Sequence, residues 1–365
     1  MSIVREKVIK LFRYIKLEIM FAKKNEFSVQ HPELKSLWRN KFRQMIRYSS
    51  DRTFPIVKEF LSAPIKKVKE TIKNGENIEM PILVCVLRND LGKVRFFMEH
   101  YRKIGIKKFV FVDNGSTDGT YEFLLEQEDV TLYQCLNDYT SNRKIAWINR
   151  VLAECGDNKW YMLVDSDEFF TYLGEDKYSI TDLLRQAEKM NLKRLGVVHL
   201  DMYPQGNLFT TENKENFIEK YCFFDKNSYI CKKTPRGVQI FGGPRKRIFG
   251  TNMKVSGLRC VYFENDDVIP SSHFMIPYEK SDNVPTCLIS RHYKFVNEED
   301  YNKIIEAVKT EKYSNNSAEY KTYFKGISKN PELSFYDEAH SIVFSEENLR
   351  KMEFIDDIFE VNQQG

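Results

Sequence analysis

Two kinds of hydrophobic pattern alternate from residue 81 onward. Ile82–Leu87 (ILVCVL), 109–112, Val130–Gln134, 160–164 and 195–200 are short and almost continuously apolar. That is the pattern of strands buried on both faces. Between them, apolar residues recur at helical spacing. Val94, Phe97, Met98, Tyr101 and Ile104 line one face before Gly105, and Ile145, Ile148, Val151 and Leu152 do so within 143–155. A short helix to about Gln127 and another near 181–190 complete the series. Strands and helices alternating at this interval predict crossover connections. The expected fold is α/β, a Rossmann-like, mainly parallel sheet with helices on both faces.

The flanks read differently. Residues 1–24 place Val4, Val8, Leu11, Phe12, Ile15 and Ile19 at helical spacing, with Arg5, Lys7, Lys10, Arg13 and Lys16 between them. Such a basic amphipathic helix fits an anionic membrane interface or a face docked on the protein's own body. Residues 25–78 continue basic and helical, with breaks at Pro32, Pro55, Pro64 and Asn74-Gly75. After Leu200 the pattern loosens, and 297–365 read as helical at 298–309 and 345–359 around a polar, tyrosine-rich middle. Three regions follow: a helical N-terminal extension (1–78), a central α/β domain (79–296) and a helical C-terminal region (297–365).

With 365 residues, 42% hydrophobic and 14% aromatic, the chain can bury a large core, which excludes global disorder. Its seven cysteines are scattered without a CxxC, against a disulfide framework or a zinc site and in favour of a reducing, cytoplasmic setting. No apolar run approaches the roughly 20 residues that cross a bilayer, so the expectation is a soluble protein or one peripheral at the inner face of the plasma membrane. The net charge of +4 is uneven. Residues 1–73 hold 18 Lys/Arg against 7 Asp/Glu (+11), leaving 38 against 45 (−7) for the rest. A basic arm on a mildly acidic body implies an anionic partner, with membrane expected and nucleic acid not.

Candidate chemistry clusters where strands end. Residues 160–170, WYMLVDSDEFF, run from an apolar strand into acids. Residues i and i+2 share a strand face, so Asp165 and Asp167 can aim at one point, as a hard divalent cation requires. The same pattern also fits an acidic turn. Two further strands end in Arg88-Asn89-Asp90 and in DNGSTDGT (113–120), whose Gly115 and Gly119 permit positive φ. An acid in first position, Asp113, suits a base or ribose better than a phosphate. In open α/β sheets, ligands bind outside the carboxyl ends of the strands.

VLRND, the following amphipathic helix, GIKKFVFVDNGSTDGT and VDSDE, in this order, resemble the nucleotide-sugar half of a family 2-like glycosyltransferase with the GT-A fold. LDMYP, GGPRKRIFG and HYKF resemble a bacterial subgroup close to family 92, and the likeness covers about residues 80–295. It implies a metal-dependent, inverting transfer of sugar from a nucleotide-sugar donor, UDP-linked above all, to a glycan or lipid-linked glycan in bacterial surface polysaccharide synthesis. Carried onto this chain, Asp113 meets base or ribose, Asp165 and Asp167 form a DxD pair for Mn²⁺ or Mg²⁺, and Arg88 lies beside the nucleotide. Arg143, Lys144, Arg245 and Arg247 are candidates for the diphosphate, since cations offset the charge of the departing nucleotide. His273, with His292 as the alternative, is the expected third metal ligand. The family's usual acidic base motif and QxxRW are missing, so Asp201, or Glu264 or Asp266, is the expected base. A sugar nucleotidyltransferase and a non-catalytic nucleotide-sugar-binding protein are the competing readings. The first is disfavoured by a glycine-free Arg88-Asn89-Asp90 loop, the second by the intact acidic pair.

Overall fold

The computed structural model describes residues 3–48, 50–62, 65–72, 80–210, 216–234 and 237–360. The expected turn at Asn74-Gly75 and the expected boundary at residue 78 lie outside the described residues. In chain order the strands are β1 (Lys66–Lys69), β2 (Ile82–Leu87), β3 (Lys108–Asp113), β4 (Val130–Gln134), β5 (Lys159–Leu163), β6 (Glu168–Thr171), β7 (Arg194–Asp201) and β8 (Phe223–Asp225). They continue with β9 (Tyr229–Thr234), β10 (Gly237–Gly242), β11 (Ser256–Phe263), β12 (Val268–Ser271), β13 (Phe274–Ile276), β14 (Thr286–His292) and β15 (Ser341–Val343).

Nine of these form one sheet in the order β1-β4-β3-β2-β5-β11-β7-β14-β6. β2, β3, β4, β5, β7 and β14 run one way, while β1, β11 and β6 run against them. The fold is thus the expected α/β class with a mixed, mainly parallel sheet. The antiparallel β11 in the middle is not visible in the hydrophobic pattern of the sequence.

The continuous apolar runs are explained by burial on both sides. Along β2, Leu83, Cys85 and Leu87 enter one core while Ile82, Val84 and Val86 enter the other. β3 divides likewise, Phe109 and Phe111 against Val110 and Val112. A strand that alternates faces between two hydrophobic layers has no polar side. Helices Leu91–Lys103 and Ile180–Lys189 cover the first face, and Ser141–Cys155 the second.

The flanking regions are built into this core. Leu17, Phe21, Phe27, Trp38, Phe42 and Phe60 of the N-terminal helices share a hydrophobic cluster with Trp147, Tyr161 and Phe263. β1, on the N-terminal side of the expected boundary, is an edge strand of the sheet. At the other end, helices Glu298–Thr310 and Ser314–Lys329 pack with Tyr203, Phe295 and Phe335. The helix expected over 345–359 shrinks to Glu346–Leu349. There Met352 and Ile358 pack on the sheet, and the Asp356 carboxylate accepts the Thr286 N–H at 2.7 Å while its own N–H donates to Thr286 O. Tertiary contacts override local helical periodicity in that segment.

Candidate functional site

Strand register assembles the site. β14 pairs antiparallel with β6, setting His292 opposite Glu168, and parallel with β7, setting His292 opposite Asp201. The turn before β6 carries Asp165, Ser166 and Asp167. Asp167, at the turn leading into β6, is thereby brought beside His292 of β14, with Asp201 of β7 on its other side. His292 Nε2 lies 3.4 Å from Asp167 Oδ2, and Nδ1 lies 2.7 Å from Asp201 Oδ1. Asp201 Oδ2 in turn accepts from Arg245 Nε at 2.7 Å, and Arg245 donates on to Glu319 and Tyr323. Burial disfavours a charged His292, but Asp167 and Asp201 overcome this and push its pKa up to about 9.

Asp165 faces a second set of cations. Its Oδ1 accepts from Lys144 Nζ at 2.5 Å, and Oδ2 lies 3.6 Å from Arg259. Lys144 is placed by the helix Ser141–Cys155, whose first turn is capped by the Thr140 hydroxyl accepting the Arg143 N–H. Burial works to raise the pKa of both Asp165 and Asp167. Lys144 and Arg259 hold the first below the usual carboxylate range, His292 and Lys294 the second. The two side chains stay 28% and 25% exposed, open to the cleft. Glu168 is buried behind them, accepts from Arg259 at 3.1 Å, and is pushed up to about 7 by burial.

The cleft, of about 290 Å³, holds Asp165, Asp167, His292, Lys144, Lys294 and Lys303 in its wall, with Arg88 and Asn114 at the strand ends. Lys303 pairs with Asp90, and Lys93 donates to Asp300 at 2.5 Å. No ion pair joins Lys294 to a carboxylate within 4 Å among the described residues, although Asp167 and Glu319 raise its pKa against the effect of burial. Tyr139, Tyr313 and Tyr320 form an aromatic side, with ring centroids 4.9 and 4.7 Å apart.

Beneath this wall lies the end of β3. Asp113 is fully buried, accepting the Ser116 N–H at 3.0 Å through Oδ2 while Oδ1 has no hydrogen-bond partner. Asn114 donates to the carbonyls of Cys135 and Asn137, and its Oδ1 is likewise unpartnered. Buried acceptors without donors are costly unless a ligand supplies one. Gly115 and Gly119 have φ of +68° and +95°, the conformations expected of the DNGSTDGT turn.

Other sequence candidates are placed elsewhere. His273, about 4 in pKa because of burial and Arg259, hydrogen-bonds Ser256 O at 3.2 Å; it is His292 that meets Asp167. Arg143 turns away to Glu59 and Asp138 O, and Arg247 to Asp225 and Phe335 O. Arg245 lies behind His292, not in the cleft wall. Asp201 is 1% exposed with both oxygens engaged, a poor position for taking a proton from an acceptor. Glu264 and Asp266 gather with Asp267, oxygens within 4.8 Å of one another, but the Lys280 ammonium already sits among them at 2.5 to 3.2 Å. Lys294, Lys303 and the tyrosine wall were missed. Lys294 lies inside the quoted HYKF, where the histidine drew the attention, whereas nothing in the periodicity of 298–310 says which face meets the cleft.

Asp167 and His292 turn an oxygen and an imidazole donor toward one point of the cleft, where they could hold a divalent cation, but Asp165 does not close with them into a group within 4.8 Å. Asp201 holds His292 by Nδ1, leaving Nε2 turned toward Asp167, the carboxylate–imidazole–metal arrangement in which an outer carboxylate fixes the tautomer of the ligand. Oxygen and imidazole donors suit Mn²⁺, and carboxylates alone suit Mg²⁺.

No protein-family model matches the chain, and no curated protein does. Among solved structures, Staphylococcus aureus TarS (residues 1–349) aligns at 13% identity over 69% of this chain and 74% of its own, with a TM-score of 0.27. HddC from Yersinia pseudotuberculosis aligns at 12% over 61% and 97%, TM-score 0.27. An apo UDP-glucose pyrophosphorylase aligns at 6% over 67% and 98%, TM-score 0.29. At these values the likeness carries no functional weight, and the site geometry has to stand by itself.

Proposed function

We propose that this protein is a divalent-metal-dependent glycosyltransferase using a nucleotide-sugar donor, UDP-linked in first place, with a glycan as acceptor. The observation that carries the reading is the convergence, in one cleft, of Asp165, Asp167 and an Asp201-oriented His292 with Lys144, Lys294 and Lys303. Acids gathered opposite cations suit a cation–diphosphate pair, which needs anionic ligands on one side and phosphate partners on the other.

In this reading the unpartnered oxygen of Asn114, in the cleft wall, accepts from the base or ribose, with Asp113 buried behind it. Asp165 and Asp167, with Nε2 of His292, would hold Mn²⁺ or Mg²⁺. When bound, the ion supplies Lewis acidity that neutralises charge gathering on the departing diphosphate. Lys294 is placed to hydrogen-bond a phosphate oxygen without first surrendering a carboxylate partner. Lys303 and Lys93 hold helix Glu298–Thr310 against the start of helix Leu91–Lys103, walling off water. Inverting stereochemistry and a bacterial surface polysaccharide as acceptor are what the sequence resemblance suggests, and they enter the proposal on that ground.

The test is calorimetric titration of nucleotide sugars with and without Mn²⁺. Binding should need the ion for full affinity and fall at least about tenfold in Lys294→Met, since one charge-assisted hydrogen bond contributes roughly 1.5–3 kcal/mol. Affinity indifferent to both Mn²⁺ and Lys294 would remove the proposed donor site.

A further inference from the structure

We infer that helix Ile3–Ala22 docks the protein on an anionic lipid surface through its outward apolar face. The helix is two-sided. Leu17 and Phe21 are buried, at 0% and 1% exposure, against the helices Lys35–Arg47 and Thr53–Ser62. On the opposite side Val8, Leu11, Phe12, Ile15 and Ile19, at spacings of three and four residues, stay 45%, 58%, 66%, 46% and 51% exposed. A single exposed leucine is ordinary, but five large apolar side chains in one helical row are an interaction surface.

What covers the row is indicated by charge. The helix carries Arg5, Lys7, Lys10, Arg13 and Lys16, and Lys23 and Lys24 follow it, against Glu6 and Glu18. Both acids are already matched: Glu6 lies 3.4 Å from Lys10, and Glu18 receives Arg43 and Arg39 at 2.6 and 3.3 Å. By helical angle, Arg5 and Lys16 border the apolar row on one side and Lys7 on the other, the arrangement of a helix lying in a bilayer interface with cations at the headgroups. A second copy of the chain would bring like-charged borders together, so an anionic surface is the complementary occupant. No described helix is long and apolar enough to cross a membrane, so the contact is one of lying on the surface.

The docking helix is also tied to the wall of the cleft. Arg13 lies 3.4 Å from Asp51, the neighbouring Arg52 donates to Asn142 at 2.9 and 3.0 Å, and Asn142 lies in the first turn of the helix that carries Lys144. Docking would therefore hold the cleft at a fixed distance from the lipid surface. This does not rest on the catalytic proposal, because vesicle binding is read without turnover.

The experiment is co-sedimentation of the full chain with vesicles of phosphatidylcholine alone or with 30% phosphatidylglycerol (about one lipid in three, a composition chosen to be clearly anionic). The comparison variant is Phe12→Asp/Ile15→Asp, both on the exposed row and distant from the cleft. Wild type should partition onto anionic vesicles at least about tenfold better than the variant, with affinity falling as salt rises. Equal partitioning of the two proteins, or equal partitioning onto both lipids, would overturn the inference. So would a wild-type dimer that becomes monomeric in the variant without vesicle binding, since the face would then belong to a second copy.

Discussion

His292 stands between Asp167 and Asp201, and its two nitrogens do different things. Nδ1 is held at 2.7 Å by a carboxylate that is itself fixed by Arg245, while Nε2 faces the cleft. In the proposed site Asp201 would thus position a metal ligand. Asp201→Asn should lower Mn²⁺ affinity by about 10–100-fold, the usual loss for an outer-shell partner, with the far-ultraviolet circular dichroism unchanged. Unaltered Mn²⁺ affinity by calorimetry would separate Asp201 from the metal. At this scale an apolar strand running into acids was legible from sequence, but not their geometry: β5 stops at Leu163, and Asp165 and Asp167 lie in the turn before β6, the first facing Lys144 and Arg259 and the second His292. That His292 rather than His273 lies beside Asp167 was not legible either. It depends on the register of β14 against both β6 and β7, and register is set by long-range packing rather than by residues near either histidine.

Helices and strands were read well wherever a continuous apolar run or one apolar face marks them, and poorly where polar residues break the pattern or local periodicity loses to contacts. β11 and the kinked helix Ser314–Lys329 illustrate the first failure, and 345–359 the second. Helix Glu298–Thr310 is clipped to the start of helix Leu91–Lys103 by Lys303–Asp90 and Lys93–Asp300. Lys303→Met should leave the fold intact while weakening donor binding roughly tenfold, because Asp90 loses its counter-charge beside the diphosphate; an unchanged dissociation constant would make the clip purely structural. A second element-level device is His100 on helix Leu91–Lys103. Burial and Arg291 hold its pKa down to about 3, and Nε2–H donates to Phe170 O at 2.7 Å. A histidine with a depressed folded pKa binds fewer protons than the unfolded chain below about pH 6.5. Its contribution is therefore complete above that pH and lost as pH falls toward 3. Urea titrations should show the acid-side fall in stability flattened in His100→Gln, by at most about 1.4 kcal/mol per pH unit. A slope identical to wild type would contradict the assignment.

At the scale of the whole molecule, the basic N-terminal region is part of a hydrophobic layer shared with the sheet. Lys41 pins it. Its ammonium is buried and donates to Asp157 at 2.9 Å and to the carbonyls of Glu264 and Asp267. Lys41→Met should cost about 3 kcal/mol, as removal of one partner from a buried pair does, within a single unfolding transition. Two separated transitions in calorimetry would instead make the N-terminal helices an independent unit. The hydrophobic period of residues 1–24 was a sound guide to the amphipathic helix Ile3–Ala22. It could not reveal that Leu17 and Phe21 anchor the opposite face, because both readings use the same helical period.

The central claim, that the cleft breaks a sugar–diphosphate bond with the aid of a cation, is tested most directly by phosphorus NMR. The full chain is incubated with Mn²⁺ and a panel of UDP-sugars, and the paramagnetic ion is removed on a chelating resin before spectra are recorded. Slow accumulation of UDP, abolished in a folded Asp167→Asn variant, is the predicted result. Appearance of UTP on addition of pyrophosphate, or UDP release undiminished by Asp167→Asn, would contradict it.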